Sequence, residues 1–377
     1  MMKKKIMQVL PALNIGGAEA LVKEYLLAFN PDLCDAQLFV LNGRVHSFLE
    51  EQLEKKGCKV VYLSELYTVP AFLPSPIRRV WVAFAWRRAL RKHIKKANPD
   101  VIHCHLSVAH KLVEAMSLLQ KKKMFYTVHN DPDKYWGDGN GQKEKQAVEQ
   151  LIHQCGMRIV ALHQEAVPKI RSYFRDVDTV YVLNNAVAFD RYRTPVKGGA
   201  EKRAELQIPQ NAFVVGHIGR FFYQKNHPFL IEIFEQILKK NADAHLLLVG
   251  DGPSRGEIEE MVRQKSISHA VTFAGNRSDV NELLSTFNVF VFPSKWEGFP
   301  ITLIEAQAAG VKCLVSDALV RDVFLTNLLE ALPLAAGAEA WAEKVLTLPE
   351  TPYEEYGLEE YNIKTVVQKL LALYENA

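Results

Sequence analysis

The chain of 377 residues is short of several things at once. Its five cysteines, Cys34, Cys58, Cys104, Cys155 and Cys313, are odd in number, scattered, and never spaced C-x-x-C. That argues against a disulfide framework or a zinc ribbon and fits a reducing compartment. No run approaches the ~20 apolar residues that cross a bilayer. Lys3-Lys4-Lys5 ahead of the uncharged stretch from Ile6 to Ala18 imitates a signal peptide, but Pro11, Asn14, Gly16 and Gly17 interrupt it, so secretion is not expected. With 20 glycines and 17 prolines the chain is no collagen-like or linker-dominated sequence, and a 48% hydrophobic share is too high for a disordered one. Net charge is only +3, unevenly shared: residues 1–190 carry 27 Lys/Arg against 19 Asp/Glu, and residues 191–377 carry 19 against 24. The front half therefore reads as basic and surface-seeking. No helix-turn-helix, zinc-finger or RNA-binding signature accompanies that charge, so nucleic acid is not an expected partner.

What is present is alternation. Short β-branched runs, at Ile6–Leu10, Gln37–Leu41, Val60–Leu63, Val101–His103, Met124–Val128 and Arg158–Ala161, are interleaved with helical patterns at Ala18–Phe29, Phe48–Lys56, Lys111–Leu119 and Gln142–His153. The alternation restarts after residue 190. Strands are expected at Phe213–Ile218, His245–Val249, Val271–Ala274, Val289–Phe292 and Cys313–Val315, with helices at Phe229–Lys240, Arg255–Gln264, Val280–Ser285 and Ile301–Ala309 between them. Repeated βα units imply a parallel sheet with helices on both faces, and the restart implies two such α/β domains. The join is expected in Phe189–Ile208, around Pro195, Gly198 and Gly199, and a last helix at Glu359–Tyr374. Ligands of open α/β sheets sit beyond the carboxyl ends of the strands, so residues just after strands are the ones to question.

Asn14-Ile15-Gly16-Gly17-Ala18-Glu19 follows the first strand, where paired glycines at a helix start let backbone N–H groups approach a phosphate or a sugar. Arg220 and Lys225, five residues apart in the loop after Phe213–Ile218, can straddle a diphosphate. They read equally well as two solvated surface charges. The sharpest feature is the run from Phe292 to Ala306. Glu297 precedes a helix and Glu305 lies one turn inside it, with Pro300 suited to the first helical position, so the two carboxylates can take two hydroxyl clusters of one ligand. The helix N-terminus between them suits phosphate.

E-G-F-P-x-x-x-x-E at Glu297–Glu305, with Gly16-Gly17 and Arg220/Lys225, resembles the family 4 glycosyltransferases of the GT-B fold over nearly the whole chain. The resemblance implies two facing doubly wound, Rossmann-like domains with a cleft between them. The first, 1–190, would serve the acceptor and receive the helix 359–375. The second, 191–358, would bind a nucleotide sugar. It implies that Glu305 holds ribose hydroxyls and that Glu297, with the backbone at Gly298, Phe299 and Pro300, holds the donor sugar. Arg220 and Lys225 would take the diphosphate, Asn276-Arg277 the base, and Gly16-Gly17 would close over the donor and acceptor. His129, in Thr127-Val128-His129-Asn130, matches the family's cleft histidine, which hydrogen-bonds the transferring sugar. The reaction implied is retaining transfer from a UDP-sugar, and no metal or other cofactor is expected. The basic front domain points first to a glycan acceptor linked to polyprenyl diphosphate, with a soluble acceptor second. A nucleotide-sugar epimerase of the same fold and a non-catalytic nucleotide-sugar binder stand as alternatives.

Other motifs remain. His103 and His105 share one face of a strand and, with Asn130, are candidates for the acceptor side or for a structural role; no third metal ligand accompanies them. Gly250-Asp251-Gly252-Pro253-Ser254-Arg255-Gly256 imitates a dinucleotide fingerprint but lacks the acidic residue after the next strand. Asp131-Pro132-Asp133 has D-x-D spacing and reads as a turn. Segment 78–96 carries eight Lys/Arg and no acid, with Ala83, Trp86, Leu90 and Ile94 on one helical stripe and Trp81 and Phe84 among the bases. That pattern fits an anionic membrane surface, hence a cytoplasmic protein peripheral to the membrane's inner face. A solvated basic helix face is the rival.

Overall fold

A computed structural model describes residues 3–376 apart from 71, 73, 138–140, 175, 176, 178, 194–198 and 351. The chain divides into two compact units, Met1–Ala186 with Ile363–Ala377, and Val187–Asn362. The divisions fall four residues before 190 and four after 358. Of the expected join, Pro195 and Gly198 lie outside the described residues, and Gly199 opens a short helix to Glu205.

The first unit is a seven-stranded parallel sheet of β1 (Lys4–Leu10), β2 (Cys34–Val40), β3 (Lys59–Tyr62), β4 (Val101–His105), β5 (Lys123–Val128), β6 (Arg158–Ala161) and β7 (Val180–Val182). Its order is β3-β2-β1-β4-β5-β6-β7. Such strands are buried on both sides, which is why they read as short continuous apolar runs. One face packs Met7, Val9, Ile102, Cys104, Tyr126 and Ile159 into a large apolar cluster with helices α3 (Ser75–Ala97) and α4 (Gln142–Cys155). The other packs Leu10, Leu38 and Val40 against α1 (Gly17–Ala28) and α2 (Phe48–Lys55). Helix α5 (Ala166–Tyr173) follows β6.

The second unit holds β8 (Phe213–Ile218), β9 (Ala244–Val249), β10 (Val271–Gly275), β11 (Val289–Phe292), β12 (Cys313–Ser316) and β13 (Leu329–Leu332), in the order β10-β9-β8-β11-β12-β13. Helices α6 (His227–Lys240), α7 (Arg255–Gln264), α8 (Ile301–Ala308) and α9 (Gly337–Leu346) accompany it. Its core is built on Val215, Leu246, Leu248, Val291 and Leu314 with Ile233, Phe234 and Trp341. The last helix, α10 (Ile363–Asn376), belongs to the first unit and packs on α1.

Both sheets are doubly wound, and in each the strand order reverses once: between β1 and β4, and between β8 and β11. Ligands of such sheets bind beyond the strand ends at that reversal, and Gly16-Gly17 follow β1 while Arg220, Lys225 and Glu297 follow β8 and β11. Some elements depart from expectation. The helix expected over 111–119 is three short pieces, Ala109–Leu112, Val113–Ala115 and Met116–Leu119. Strands β7 and β13 and helices α5 and α9 are additional.

Candidate active site

In the second unit, the loops after β8 and β11 flank the switch point. The β8 loop is shaped by close backbone approach: a Cβ at Gly250, whose φ is +131°, would run into the Gly219 carbonyl, and one at Gly252 into Phe221. Gly219 and Phe221 donate their N–H groups to Val249 and Asp251. The Gly250–Gly256 stretch thus supports the neighbouring loop.

That loop delivers Gln224 and Lys225 to Glu297. Lys225 Nζ lies 2.8 Å from Glu297 Oε1, with side chains 15% and 8% exposed. Gln224 donates from Nε2 to Glu297 Oε2 at 3.0 Å and to the Trp296 carbonyl at 2.9 Å, while Lys295 N–H donates to the Gln224 carbonyl. The two expected phosphate cations therefore stand in different states. Lys225 is committed to a carboxylate. Arg220 is exposed, its guanidinium 5.7 Å over the Phe222 ring, with no carboxylate partner among the described residues.

Pro300 is the N-cap of α8 rather than its first residue, because the helix begins at Ile301. No side chain caps that terminus, and Thr302 Oγ1, buried in its first turn, has no partner among the described residues. Glu305 accepts a hydrogen bond from Tyr192 Oη at 2.6 Å. The Phe299 ring is buried, stacked on Tyr361 at 5.4 Å, and Gly298 is half-buried. Asn276 is exposed. Arg277 is held by Asp279 through two bonds and by Glu205 through a third, so its charge is tied within the unit's own structure. Sequence reasoning missed Gln224 and Tyr192. Gln224 stood beside Lys225 within the motif, whereas Tyr192 sits 113 positions from its partner and carried no local signal.

In the first unit, Gly16 is the N-cap of α1 and the buried Glu19 folds its carboxylate back against it. His129 follows β5, half-buried, and Asn130 beside it is exposed. His103 and His105 share one strand face, ring centroids 4.3 Å apart, but both are fully buried, so the expected acceptor-side role is corrected: neither reaches a surface. They belong to a hydrogen-bonded seam. Tyr374 Oη lies 2.6 Å from His103 Nδ1, and His103 Nε2 lies 2.7 Å from Thr127 Oγ1. His105 Nδ1 lies 2.8 Å from His129 Nε2, and His105 Nε2 lies 2.8 Å from Gln8 Oε1. Burial pushes the imidazolium forms of His103 and His129 down to about 3, and that of His105 well below its ordinary value with help from the neighbouring rings. All three are neutral near pH 7.

Asp131 accepts from the N–H groups of Asp133 and Lys134, and Lys169 bridges both aspartates. The D-x-D spacing is a turn leading into a single π-helical turn, Asp133–Gly137. Among the described residues, no group of three or more His, Cys, Asp and Glu could hold a metal ion. Helix α3 contains the basic segment. Leu90 and Ile94 are buried, while Ile77, Val80, Trp81 and Phe84 are 56%, 72%, 42% and 60% exposed. No helix among the described residues is long and apolar enough to cross a membrane.

Two doubly wound parallel-sheet units make the GT-B architecture, and the second places carboxylates, cations and a bare helix start at its switch point. Comparison agrees. Residues 15–191 match the glycosyltransferase family 4 model and residues 199–364 the glycosyl transferases group 1 model. The chain is 27% identical over 350 residues to a Bacillus subtilis protein designated glycosyltransferase EpsF, covering 91% of this chain and 87% of that one. It is 26% identical over 304 residues to an Escherichia coli UDP-Gal:α-D-GlcNAc-diphosphoundecaprenol α-1,3-galactosyltransferase, covering 76% and 78%. The fold of HepE from Anabaena, crystallised with UDP and glucose, superposes at a TM-score of 0.79 with 17% identity, over 99% of this chain and 100% of that one. The chain belongs to the family 4 glycosyltransferases of the GT-B fold.

Proposed function

We propose that the protein moves a hexose or N-acetylhexosamine from a UDP-sugar to a glycan acceptor carried on polyprenyl diphosphate, with retention, in bacterial surface polysaccharide biosynthesis. The carrying observation is the second unit's switch point, where Lys225 and Gln224 hold Glu297 beside the uncapped start of α8 and Tyr192 holds Glu305 within it. Two oriented carboxylates suit two sets of hydroxyls, ribose at Glu305 and sugar at Glu297. Arg220, Lys225 and the α8 N–H groups stabilise the charge that grows on the departing diphosphate. These groups supply positive charge without a metal ion, so EDTA leaves activity intact. No side chain there is an obvious nucleophile. The working mechanism is front-face displacement: the acceptor oxygen bonds to the anomeric carbon, the bond to the diphosphate breaks, and the leaving phosphate takes the acceptor's proton. The Escherichia coli relative, a UDP-galactose-dependent transferase acting on a diphosphoundecaprenol-linked sugar, supports the UDP donor and the lipid-linked acceptor, and the Anabaena complexes with UDP and UDP-glucose support the donor.

Helix α3 is the proposed contact with the anionic inner face of the cell membrane. Ile77, Val80, Trp81 and Phe84 recur at i, i+3, i+4 and i+7, an apolar stripe left exposed. Arg78, Arg79, Arg88 and Lys92 flank it without a carboxylate partner among the described residues, whereas Arg87 is paired with Glu114. Incubation with UDP-sugars and undecaprenyl-diphosphate-linked mono- and disaccharides, with product analysis, tests the whole reading. A longer lipid-linked glycan with a retained anomeric configuration upholds it. A new free UDP-sugar epimer, or no turnover by a chain that binds UDP, contradicts it.

A further inference from the structure

The seam behind His129 contains a residue that no motif marks. The geometry points to Gln8 as the positioning residue that sets the tautomer of His129, leaving its Nδ1 as a hydrogen-bond acceptor. The protons can be followed atom by atom. Gln8 donates from Nε2 to Tyr374 Oη at 3.0 Å, so its Oε1 faces His105 Nε2. An amide oxygen only accepts, so His105 carries its proton on Nε2 and donates it to Gln8. A neutral imidazole has one N–H, and burial keeps His105 neutral, so its Nδ1 is the bare nitrogen. The bond of 2.8 Å between His105 Nδ1 and His129 Nε2 then requires the proton on His129 Nε2. His129 Nδ1 is left with a lone pair and no donor among the described residues.

The other end of the seam closes consistently. Tyr374 Oη accepts from Gln8 and donates its one proton to His103 Nδ1, and His103 Nε2–H donates to Thr127 Oγ1. All three imidazoles therefore carry the proton on Nε2. Tyr374 lies on α10 and Gln8 on β1, 366 positions apart, so the last helix secures the amide orientation on which the chain of bonds depends. The chemical consequence is specific. A ring that presents a bare nitrogen accepts a hydrogen bond from a hydroxyl, as a sugar provides, and does not donate one to a phosphate oxygen. That His129 meets the donor sugar rests on the transferase reading above; the tautomer does not.

The test is a long-range 1H–15N correlation spectrum of the full chain labelled with 15N-histidine, recorded without substrate, with the His129 signals identified by their loss in His129→Asn. The expected spectrum has the His129 proton on Nε2. In Gln8→Leu, His105 loses its acceptor and a buried unpaired N–H is disfavoured, so both His105 and His129 are expected to move their proton to Nδ1. Transfer by that variant should fall in kcat by about tenfold, one hydrogen bond's worth, with UDP affinity unchanged. Should Gln8→Leu fail to fold, Tyr374→Phe serves: the amide loses its anchor and the His129 signals divide between two forms. A wild-type His129 protonated on Nδ1, or a folded Gln8→Leu that keeps the proton on Nε2, overturns the inference. Wild-type protein with the Nε2 proton but no transferase activity upholds it and counts against the transferase reading alone.

Discussion

Lys225 and Glu297 form a nearly buried ion pair, Nζ to Oε1 at 2.8 Å, with Gln224 holding the second carboxylate oxygen. Removing one partner of such a pair leaves a charge without compensation in a dry setting. Lys225→Met is expected to cost about 3 kcal/mol in urea unfolding. Lys225→Met with Glu297→Gln should recover most of that stability and none of the activity. Loss of the cation near the leaving diphosphate should lower kcat about a hundredfold in both variants. Unchanged unfolding in Lys225→Met would contradict the pairing.

Tyr192 gives Glu305 its orientation through a hydrogen bond of 2.6 Å. Tyr192→Phe removes that donor and loosens the orientation it gives the carboxylate. UDP affinity measured by calorimetry should weaken about threefold to tenfold, with the melting temperature nearly unchanged. A variant that binds UDP like the wild type removes Tyr192 from the site.

Acid sensitivity follows from the buried imidazoles. His103 and His129 are pushed down to about 3, His217 to about 4 and His227 to about 2, each chiefly by burial. The unfolded chain takes up these protons below its ordinary histidine pKa of about 6.5, while the folded chain does not. Stability is thus flat above that pH and falls as pH drops toward 4, by about 2 kcal/mol per fully buried ring at pH 5. His227 stacks on Phe221 at 4.2 Å, and neither of its ring nitrogens has a partner among the described residues. His227→Phe should therefore fold well at pH 7 and flatten the slope of unfolding free energy between pH 6.5 and 5. An unaltered slope would show that the ring titrates alike in both states.

The exposed stripe on α3 makes its own prediction. Sedimentation with vesicles containing phosphatidylglycerol should carry the protein down, and vesicles of phosphatidylcholine should not. Val80→Ser with Phe84→Ser should reduce binding about tenfold or more, since each removes apolar area worth roughly 1–2 kcal/mol. Equal binding to both vesicle types would exclude an electrostatic dock.

How far this was legible in the sequence depended on how local each signal was. The central strands announced themselves because burial on both faces demands short β-branched runs. Val180–Val182 has three residues at a sheet edge, and Leu329–Leu332, as Leu-Glu-Ala-Leu, has the composition of a helix, so neither carried a strand signal. Glu297 and Glu305 were readable as a motif on one loop and helix. Tyr192 and Gln224 were not, because a positioning residue is known only by what it touches. Strand alternation correctly put His103 and His105 on one face. That they are buried follows from the place of β4 between β1 and β5, with Tyr374 arriving from the far end of the chain to bond His103.

Calorimetric titration of the purified chain with UDP, GDP and ADP, in wild type and Glu305→Ala, with and without EDTA, tests the central claim most directly. The account predicts UDP-selective binding, indifferent to EDTA and weakened at least tenfold when Glu305 can no longer accept ribose hydroxyls. Binding of GDP or ADP in preference, or UDP binding that Glu305→Ala leaves untouched, would contradict it.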